Sequence, residues 1–95
     1  MLTNKERSTL RAMANKMPAI FHMGKEGLTP AFTNAVRSAL EARELIKIDL
    51  LSNCVLDVKN AAEIISQRTG SQVVQVIGKK FVLYRKSPKK KEGLL

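Results

Sequence analysis

The sequence predicts an α/β (α+β) domain of element order α-β-α-β-α-β-β, in which helices pack on a four-stranded mixed sheet. Three segments with apolar residues at helical spacing alternate with short apolar runs. The last two runs are separated only by Gly78, Lys79 and Lys80, and a turn at Gly78-Lys79 is typical of an antiparallel hairpin. Strands separated by helices favour parallel pairing, so the sheet is predicted to be mixed. The length of 95 residues allows one domain.

The helix boundaries are predicted from residues that favour helix ends. Thr3 and Glu6 fit a capping box, in which the hydroxyl and the carboxylate each accept a backbone N–H. Thr29 fits an N-cap followed by Pro30 at the first helical position, and Gly70 fits the left-handed position that ends a helix. The three helices are therefore predicted over residues 3–15, 29–43 and roughly 55–68.

The strands are predicted from short runs rich in β-branched and aromatic residues, at 19–23, 45–51, 73–77 and 81–84. The first run is mostly apolar, so it is predicted to be a buried strand. In the second run, isoleucine and leucine alternate with Lys47 and Asp49. This alternation predicts one buried face and one solvent-exposed face.

The charge is strongly positive and unevenly placed. Lysine and arginine number 17 against 8 acidic residues, a formal net charge of +9. Residues 85–95 hold five basic residues and one acidic residue, so the end of the chain carries nearly half of the excess. We expect residues 1–86 to form the folded domain and residues 87–95 a basic flexible tail. The basic domain indicates a polyanionic partner. The alternative for the tail is that its charge only keeps the protein soluble.

Several classes of function are disfavoured. One cysteine, Cys54, excludes an internal disulfide, and with one histidine, His22, it supplies too few ligands for a zinc site. Neither residue has an evident orienting partner, and no paired carboxylates suggest acid–base chemistry. We therefore expect no enzyme activity, no metal or other cofactor and no small-molecule substrate. The apolar runs are too short to span a membrane and the N-terminus turns polar at once, so we expect a cytoplasmic protein, and a monomer.

The loop Gly24-Lys25-Glu26-Gly27 joins a predicted strand to the helix start at Thr29. Two glycines allow the backbone to turn tightly and to approach a ligand, while a helix N-terminus with free N–H groups favours phosphate. A Gly-x-x-Gly loop before a helix is how KH domains hold a nucleic-acid backbone. The alternative is a plain turn, and Glu26 places a negative charge where phosphate would bind.

Further basic residues are candidates for the same function. Arg7 and Arg11 lie four residues apart, so their side chains project together from the first helix. Lys79 and Lys80 lie at the predicted hairpin turn. Each pair also has a simpler interpretation. The two arginines would lie on a solvent-exposed helix face, and the two lysines would keep a sheet edge soluble. Aromatic residues make up only 4% of the chain, so any nucleic acid would be held by its backbone and shape rather than by base stacking.

Three motifs resemble a known family. They are Gly24-Lys25-Glu26-Gly27-Leu28-Thr29, Glu44-Leu45-Ile46-Lys47-Ile48 and Gln75-Val76-Ile77-Gly78-Lys79-Lys80-Phe81-Val82-Leu83-Tyr84-Arg85. In this order they are similar to the CRM domain (chloroplast RNA splicing and ribosome maturation), and within it to the stand-alone bacterial YhbY-like proteins. The resemblance covers roughly residues 2–86. It implies a fold similar to the C-terminal domain of translation initiation factor three.

The resemblance also implies a function and a set of site residues. It implies RNA binding, and for the bacterial branch an association with precursors of the large ribosomal subunit. The family's backbone-contacting loop corresponds to Gly24, Lys25, Glu26 and Gly27, with the helix start at Thr29 beneath it. The family's basic surface corresponds to Arg7, Arg11, Lys16 and Arg37.

Two hypotheses follow from the sequence. The first is a non-enzymatic RNA-binding protein, an assembly factor that binds precursor large-subunit ribosomal RNA through the Gly-x-x-Gly loop, the helix N-terminus and a basic surface. The second is a protein-interaction adaptor without direct specific RNA contact. The first is strongest if the cations share one face with the loop: Arg7, Arg11, Lys16, Lys25 and Arg37.

Overall fold

The computed structural model describes residues 2–86, so the predicted tail at residues 87–95 lies outside the described residues. The elements are α1 Asn4–Asn15, β1 Phe21–Met23, α2 Pro30–Arg43, β2 Leu45–Leu50, α3 Val58–Thr69, β3 Gln72–Ile77 and β4 Lys80–Tyr84. Within that range the predicted order and the four-stranded mixed sheet are confirmed.

The start of α1 shows the predicted capping box. The Thr3 hydroxyl accepts a hydrogen bond from the Glu6 N–H at 3.1 Å, and the Glu6 carboxylate accepts one from the Thr3 N–H at 3.0 Å. The bond from the Thr3 backbone, and then the one with its side chain, lower the pKa of Glu6. These contacts satisfy N–H groups that the first helical turn leaves without partners, so α1 begins where the sequence predicts.

The start of α3 was predicted too early. The helix begins at Val58 rather than at residue 55, because Asp57 is its N-cap and accepts a hydrogen bond from the Asn60 N–H at 2.8 Å. Val55 lies in the preceding loop and is 83% exposed. The predicted end is correct, since Gly70 adopts the left-handed conformation with φ 67°.

The strand order in the sheet is β1-β2-β4-β3. β1 pairs with β2 in parallel, as predicted, and β4 pairs antiparallel with both β2 and β3. The expectation of parallel pairing across each helix is wrong for β2 and β3, because β4 lies between them. The hairpin turn at Gly78 returns β4 beside β3, and four of the five β4 residues are buried in the centre of the sheet.

The sheet separates two apolar clusters, because successive side chains of a strand point to opposite faces. On one face, α2 and α3 pack against the strands through Met23, Val36, Leu40, Ile46, Ile48, Leu50, Ala61, Ala62, Ile65, Phe81 and Leu83. On the other face, α1 packs through Leu10, Ala14, Leu45, Val74, Val82 and Tyr84. Burial, followed by the nearby charges of Glu44 and Glu6, raises the pKa of Tyr84.

The structure corrects two strand predictions. The predicted exposed face of β2 is covered at its start, where Leu45 is 2% exposed beneath α1. β1 is shorter than predicted and is not buried throughout: it spans Phe21–Met23, and His22 is exposed. The first difference arises because α1 covers part of its face of the sheet, and the second because β1 is an edge strand.

Candidate nucleic-acid interface

The loop Gly24–Gly27 forms a tight turn between β1 and α2. The Gly27 N–H donates to the Gly24 carbonyl at 3.0 Å, which leaves Lys25 and Glu26 exposed at the tip. Gly27 has φ 65°, a left-handed conformation that side chains disfavour, so the turn itself favours glycine here. Gly24 does not have a positive φ, and an added Cβ would lie at van der Waals distance, 3.6 Å, from Asn53 Oδ1. The fold therefore does not require glycine at this position.

The N-terminus of α2 is partly satisfied by its own cap. The Thr29 hydroxyl accepts a hydrogen bond from the Phe32 N–H at 3.0 Å, and Pro30 has no N–H to donate. The helix therefore offers a phosphate fewer free N–H groups than the sequence suggested. Thr29, a candidate binding residue, is a helix cap, while the partial positive charge of the helix dipole remains close to the loop.

Two further segments reach the edge of the sheet where the loop lies. The Leu51 N–H donates to the Met23 carbonyl at 2.9 Å, and the Leu50 N–H donates to the Lys79 carbonyl at 2.8 Å. The end of β2 thus lies between the start of the glycine loop and the β3–β4 turn. The loop and the turn are therefore two strand spacings, or about 10 Å, from each other. We call the three exposed lysines of these segments the lysine edge: Lys25, Lys79 and Lys80.

Sequence reasoning did not single out the loop between β2 and α3 as part of this region. Its Ser52 and Asn53 are exposed, and Asn53 approaches Gly24 as described above. The signal was available, because loops that follow neighbouring parallel strands meet at one edge of a sheet. The same loop carries Leu51 and Val55, which are 44% and 83% exposed.

The two arginines of α1 differ in their surroundings. Arg7 Nη1 donates to the carbonyls of Val73 and Val74, at 2.8 and 3.3 Å, where the pairing of β3 with β4 is irregular. Arg7 therefore holds α1 against β3, while Arg11 is exposed to solvent. The prediction that the two side chains act together is not favoured by this geometry.

We expect Arg7→Gln to destabilise the fold by about 1–2 kcal/mol, because the carbonyls of Val73 and Val74 lose a charged donor. Arg11→Gln removes the same charge from the same helix and should change the free energy of unfolding by no more than about 0.5 kcal/mol. Urea denaturation followed by circular dichroism measures both. Equal losses would contradict the structural role of Arg7.

The remaining predicted cations do not share one face. Arg37 lies on α2, and its guanidinium donates to Asn34 Oδ1 at 3.3 Å and to the Arg68 carbonyl at 2.6 Å. Lys16 is the exposed C-cap of α1, on the other side of the sheet. Because α1 and α2 cover opposite faces, the structure does not bring Arg11 and Lys16 together with Arg37. The lysine edge lies between these faces.

His22 has an orienting partner that the sequence did not reveal. It pairs with Asp49 across β1 and β2, and His22 Nδ1 lies 3.5 Å from Asp49 Oδ2. Cys54, the other candidate nucleophile or base, is partly buried against the α2–α3 cluster. Over residues 2–86, no three histidine, cysteine or acidic side chains are grouped as metal ligands. In the same range, every helix is too short or too polar to cross a bilayer.

Together, the fold and the lysine edge define a small basic α+β domain with exposed cations at one end of a mixed sheet. The chain belongs to the CRS1/YhbY (CRM) domain family, whose model matches residues 2–85. The resemblance found in the sequence is therefore confirmed. It extends over nearly all of the part of the chain that the structure describes.

Individual relatives match the whole length of the chain. It is 41% identical over 92 residues to YqeI of Bacillus subtilis, named a probable RNA-binding protein, covering 97% of this chain and 96% of that one. It is 29% identical over 90 residues to a protein of Haemophilus influenzae named RNA-binding protein, covering 95% and 91%. The solution structure of a hypothetical Staphylococcus aureus protein, described as a candidate RNA-binding protein, matches with a TM-score of 0.81 and 42% identity, covering 100% and 99%.

Proposed function

We propose that this protein binds RNA without catalysing a reaction, and that it acts on precursor ribosomal RNA during assembly of the large ribosomal subunit. The observation that carries the proposal is the lysine edge, where strand pairing brings the loop of Lys25 to within about two strand spacings of two lysines more than fifty residues away in the chain. The names of the relatives support RNA as the partner. The ribosomal role rests on the resemblance of the three sequence motifs, and we propose a monomer acting in the cytoplasm.

The proposed mechanism is contact with the RNA backbone. The lysine edge supplies mobile cations, and the turn at Gly24–Gly27 brings main chain and the positive end of α2 close to a phosphate. Glu26 is exposed at the tip of the turn. Because its carboxylate would repel a phosphate, the mechanism requires that this side chain face away from the RNA. Arg11 and Lys16 extend the positive charge along the α1 side.

The test of the proposed function is the salt dependence of binding. If about 4–6 phosphates are neutralised, the logarithm of the affinity for a structured ribosomal RNA fragment should fall with the logarithm of salt concentration, with a slope of roughly −3 to −5. Fluorescence titration at several salt concentrations measures this slope. An absence of binding, or a flat response, would favour the adaptor hypothesis, for which exposed Leu51 and Val55 would be the contact residues.

The ribosomal role has its own test. We expect crosslinking of the protein to RNA in cells to recover mainly immature large-subunit ribosomal RNA. Recovery spread evenly over all transcripts would support general RNA affinity and contradict the assembly role.

The two loop glycines are expected to behave differently when replaced by alanine. Gly27→Ala forces a left-handed backbone on a side chain, so it should cost about 1 kcal/mol of stability. Gly24→Ala fits the fold and should leave the melting temperature nearly unchanged, yet lower RNA affinity severalfold if the backbone approaches phosphate there. Thermal unfolding and RNA titration of both variants separate the effects. Unchanged affinity of Gly24→Ala would contradict close approach at this residue.

A further inference from the structure

A groove of about 250 Å³ lies on the α1 side of the sheet, next to the end of that helix. α1 ends at Asn15, and beyond it Ile77 and Lys80 are exposed. The lining residues are Asn15, Lys47, Gln75, Ile77, Lys80 and Val82. Three of them form one row across the sheet, since Lys47 and Gln75 both pair with Val82.

An irregularity in β3 places Gln75 in this groove. Regular alternation from Val73, which packs on the α2–α3 side, would return Gln75 to that same side. The register shift between Val73 and Gln75 instead puts Gln75 opposite Val82, on the α1 side. Bulges of this kind redirect side chains and often lie near functional sites.

Gln75 is also incompletely bonded. Within residues 2–86, its Oε1 is a buried side-chain oxygen that has no hydrogen-bond partner. A buried acceptor without a donor costs free energy, so it is usually satisfied by water or by a ligand. Gln75 lines the groove while this oxygen is buried, so a rotation of the side-chain amide would present the unsatisfied acceptor to an entering N–H group.

The chemistry of the lining matches one ligand class. Ile77, which is 53% exposed, offers apolar surface for the face of a flat ring, while Val82 is buried at the floor of the groove. The amide of Gln75 matches the amino group and adjacent ring nitrogen of a base such as adenine. Lys47 and Lys80 supply positive charge for a phosphate, although Lys47 Nζ already donates to the Met17 carbonyl at 2.9 Å. The volume is below the range of about 300–1,000 Å³ for drug-sized ligands, which favours a ligand of roughly the size of one base.

We propose that this groove binds a single unpaired nucleobase of the RNA, with Gln75 as its hydrogen-bond acceptor. The inference rests on the proposed function, because Lys80 belongs both to the groove and to the lysine edge. An RNA backbone held at that edge would place one base over the groove. The site would add recognition of a base to binding that is otherwise directed at phosphates.

The test uses the full chain with three probes: a short oligoadenylate, a ribose-phosphate oligomer of the same length without bases, and free AMP. We expect oligoadenylate to bind about tenfold more tightly than the abasic oligomer. One hydrogen bond to the base and the apolar contact of its ring would together account for this factor. Gln75→Leu should remove this difference. Gln67→Leu, an identical change at an exposed position on α3, should retain it.

A second readout does not depend on a variant. In a labelled wild-type sample, the side-chain amide resonance of Gln75 should shift with oligoadenylate and not with the abasic oligomer. Because leucine removes a buried unsatisfied group, the melting temperature of Gln75→Leu should be unchanged or higher.

Each remaining outcome has a distinct meaning. Equal binding of both oligomers, with no shift of the Gln75 amide, would overturn the base site while leaving phosphate binding intact. No binding of either oligomer would contradict the proposed function itself. Binding of AMP as tight as that of oligoadenylate would show a site for free nucleotides and would overturn an RNA base as the ligand.

Discussion

Reversing the charge of the lysine edge, in the triple variant Lys25→Glu, Lys79→Glu and Lys80→Glu, is expected to lower RNA affinity about 100-fold. Each lysine loses one phosphate contact and each glutamate repels the backbone, so three modest losses combine to about this factor. The slope of log affinity against log salt should become shallower by about three. RNA titration at several salt concentrations measures both quantities.

The matched control changes three exposed cations at the opposite edge of the sheet: Lys5→Glu, Arg43→Glu and Lys86→Glu. Lys5 lies at the start of α1, Arg43 at the end of α2 and Lys86 after β4. The change in net charge is the same, so a general electrostatic effect would weaken binding equally in both variants. We expect a much smaller loss for the control, and an equal loss would contradict a localised site. Neither triple variant should lower the melting temperature by more than a few degrees, because all six residues are exposed.

Phe81→Ala is expected to remove about 3–5 kcal/mol of stability, the largest effect of any single change proposed here on the fold. Phe81 is 0% exposed and lies on β4, where it is paired between Ile48 and Val76. Its removal opens a cavity beneath α2 and α3 in a domain whose total stability is of the order of 5–10 kcal/mol. The melting temperature should fall by more than about 15 °C.

Val55→Ala is the control for this prediction. Val55 is 83% exposed, so its truncation should change stability by no more than about 0.5 kcal/mol. Urea denaturation followed by circular dichroism measures both variants. A loss below about 1 kcal/mol for Phe81→Ala would contradict a close-packed core at this position.

Local signals in the sequence predicted most helix boundaries correctly. The capping box at Thr3 and the left-handed glycine at residue 70 act within one helical turn, so they are readable without knowledge of the fold. The start of α3 was misplaced because Val55 extends the apolar pattern, while the actual cap, Asp57, was not recognised. The glycine loop was located correctly, although its need for glycine is conformational at Gly27 only.

Long-range contacts explain the site predictions that the structure does not favour. Arg7 and Arg11 have the same residue type and the helical spacing of neighbours, yet Arg7 binds carbonyls of β3 more than sixty residues away. Arg37 was grouped with the α1 cations, but the sheet lies between α1 and α2. No local pattern distinguishes a cation that faces solvent from one that bonds to a distant strand.

The element types, the capped helix ends, the tight turn at Gly24–Gly27 and the excess of positive charge are properties of local sequence, because they depend on residues within one or two turns of each other. The strand order, the two-sided core and the lysine edge depend on the tertiary structure. β4 takes the central place between β2 and β3, and this brings the turn at Lys79 to the end of β2 beside the glycine loop. The net charge of +9 indicated a polyanion, but only this strand pairing decides which cations are close enough to bind it together.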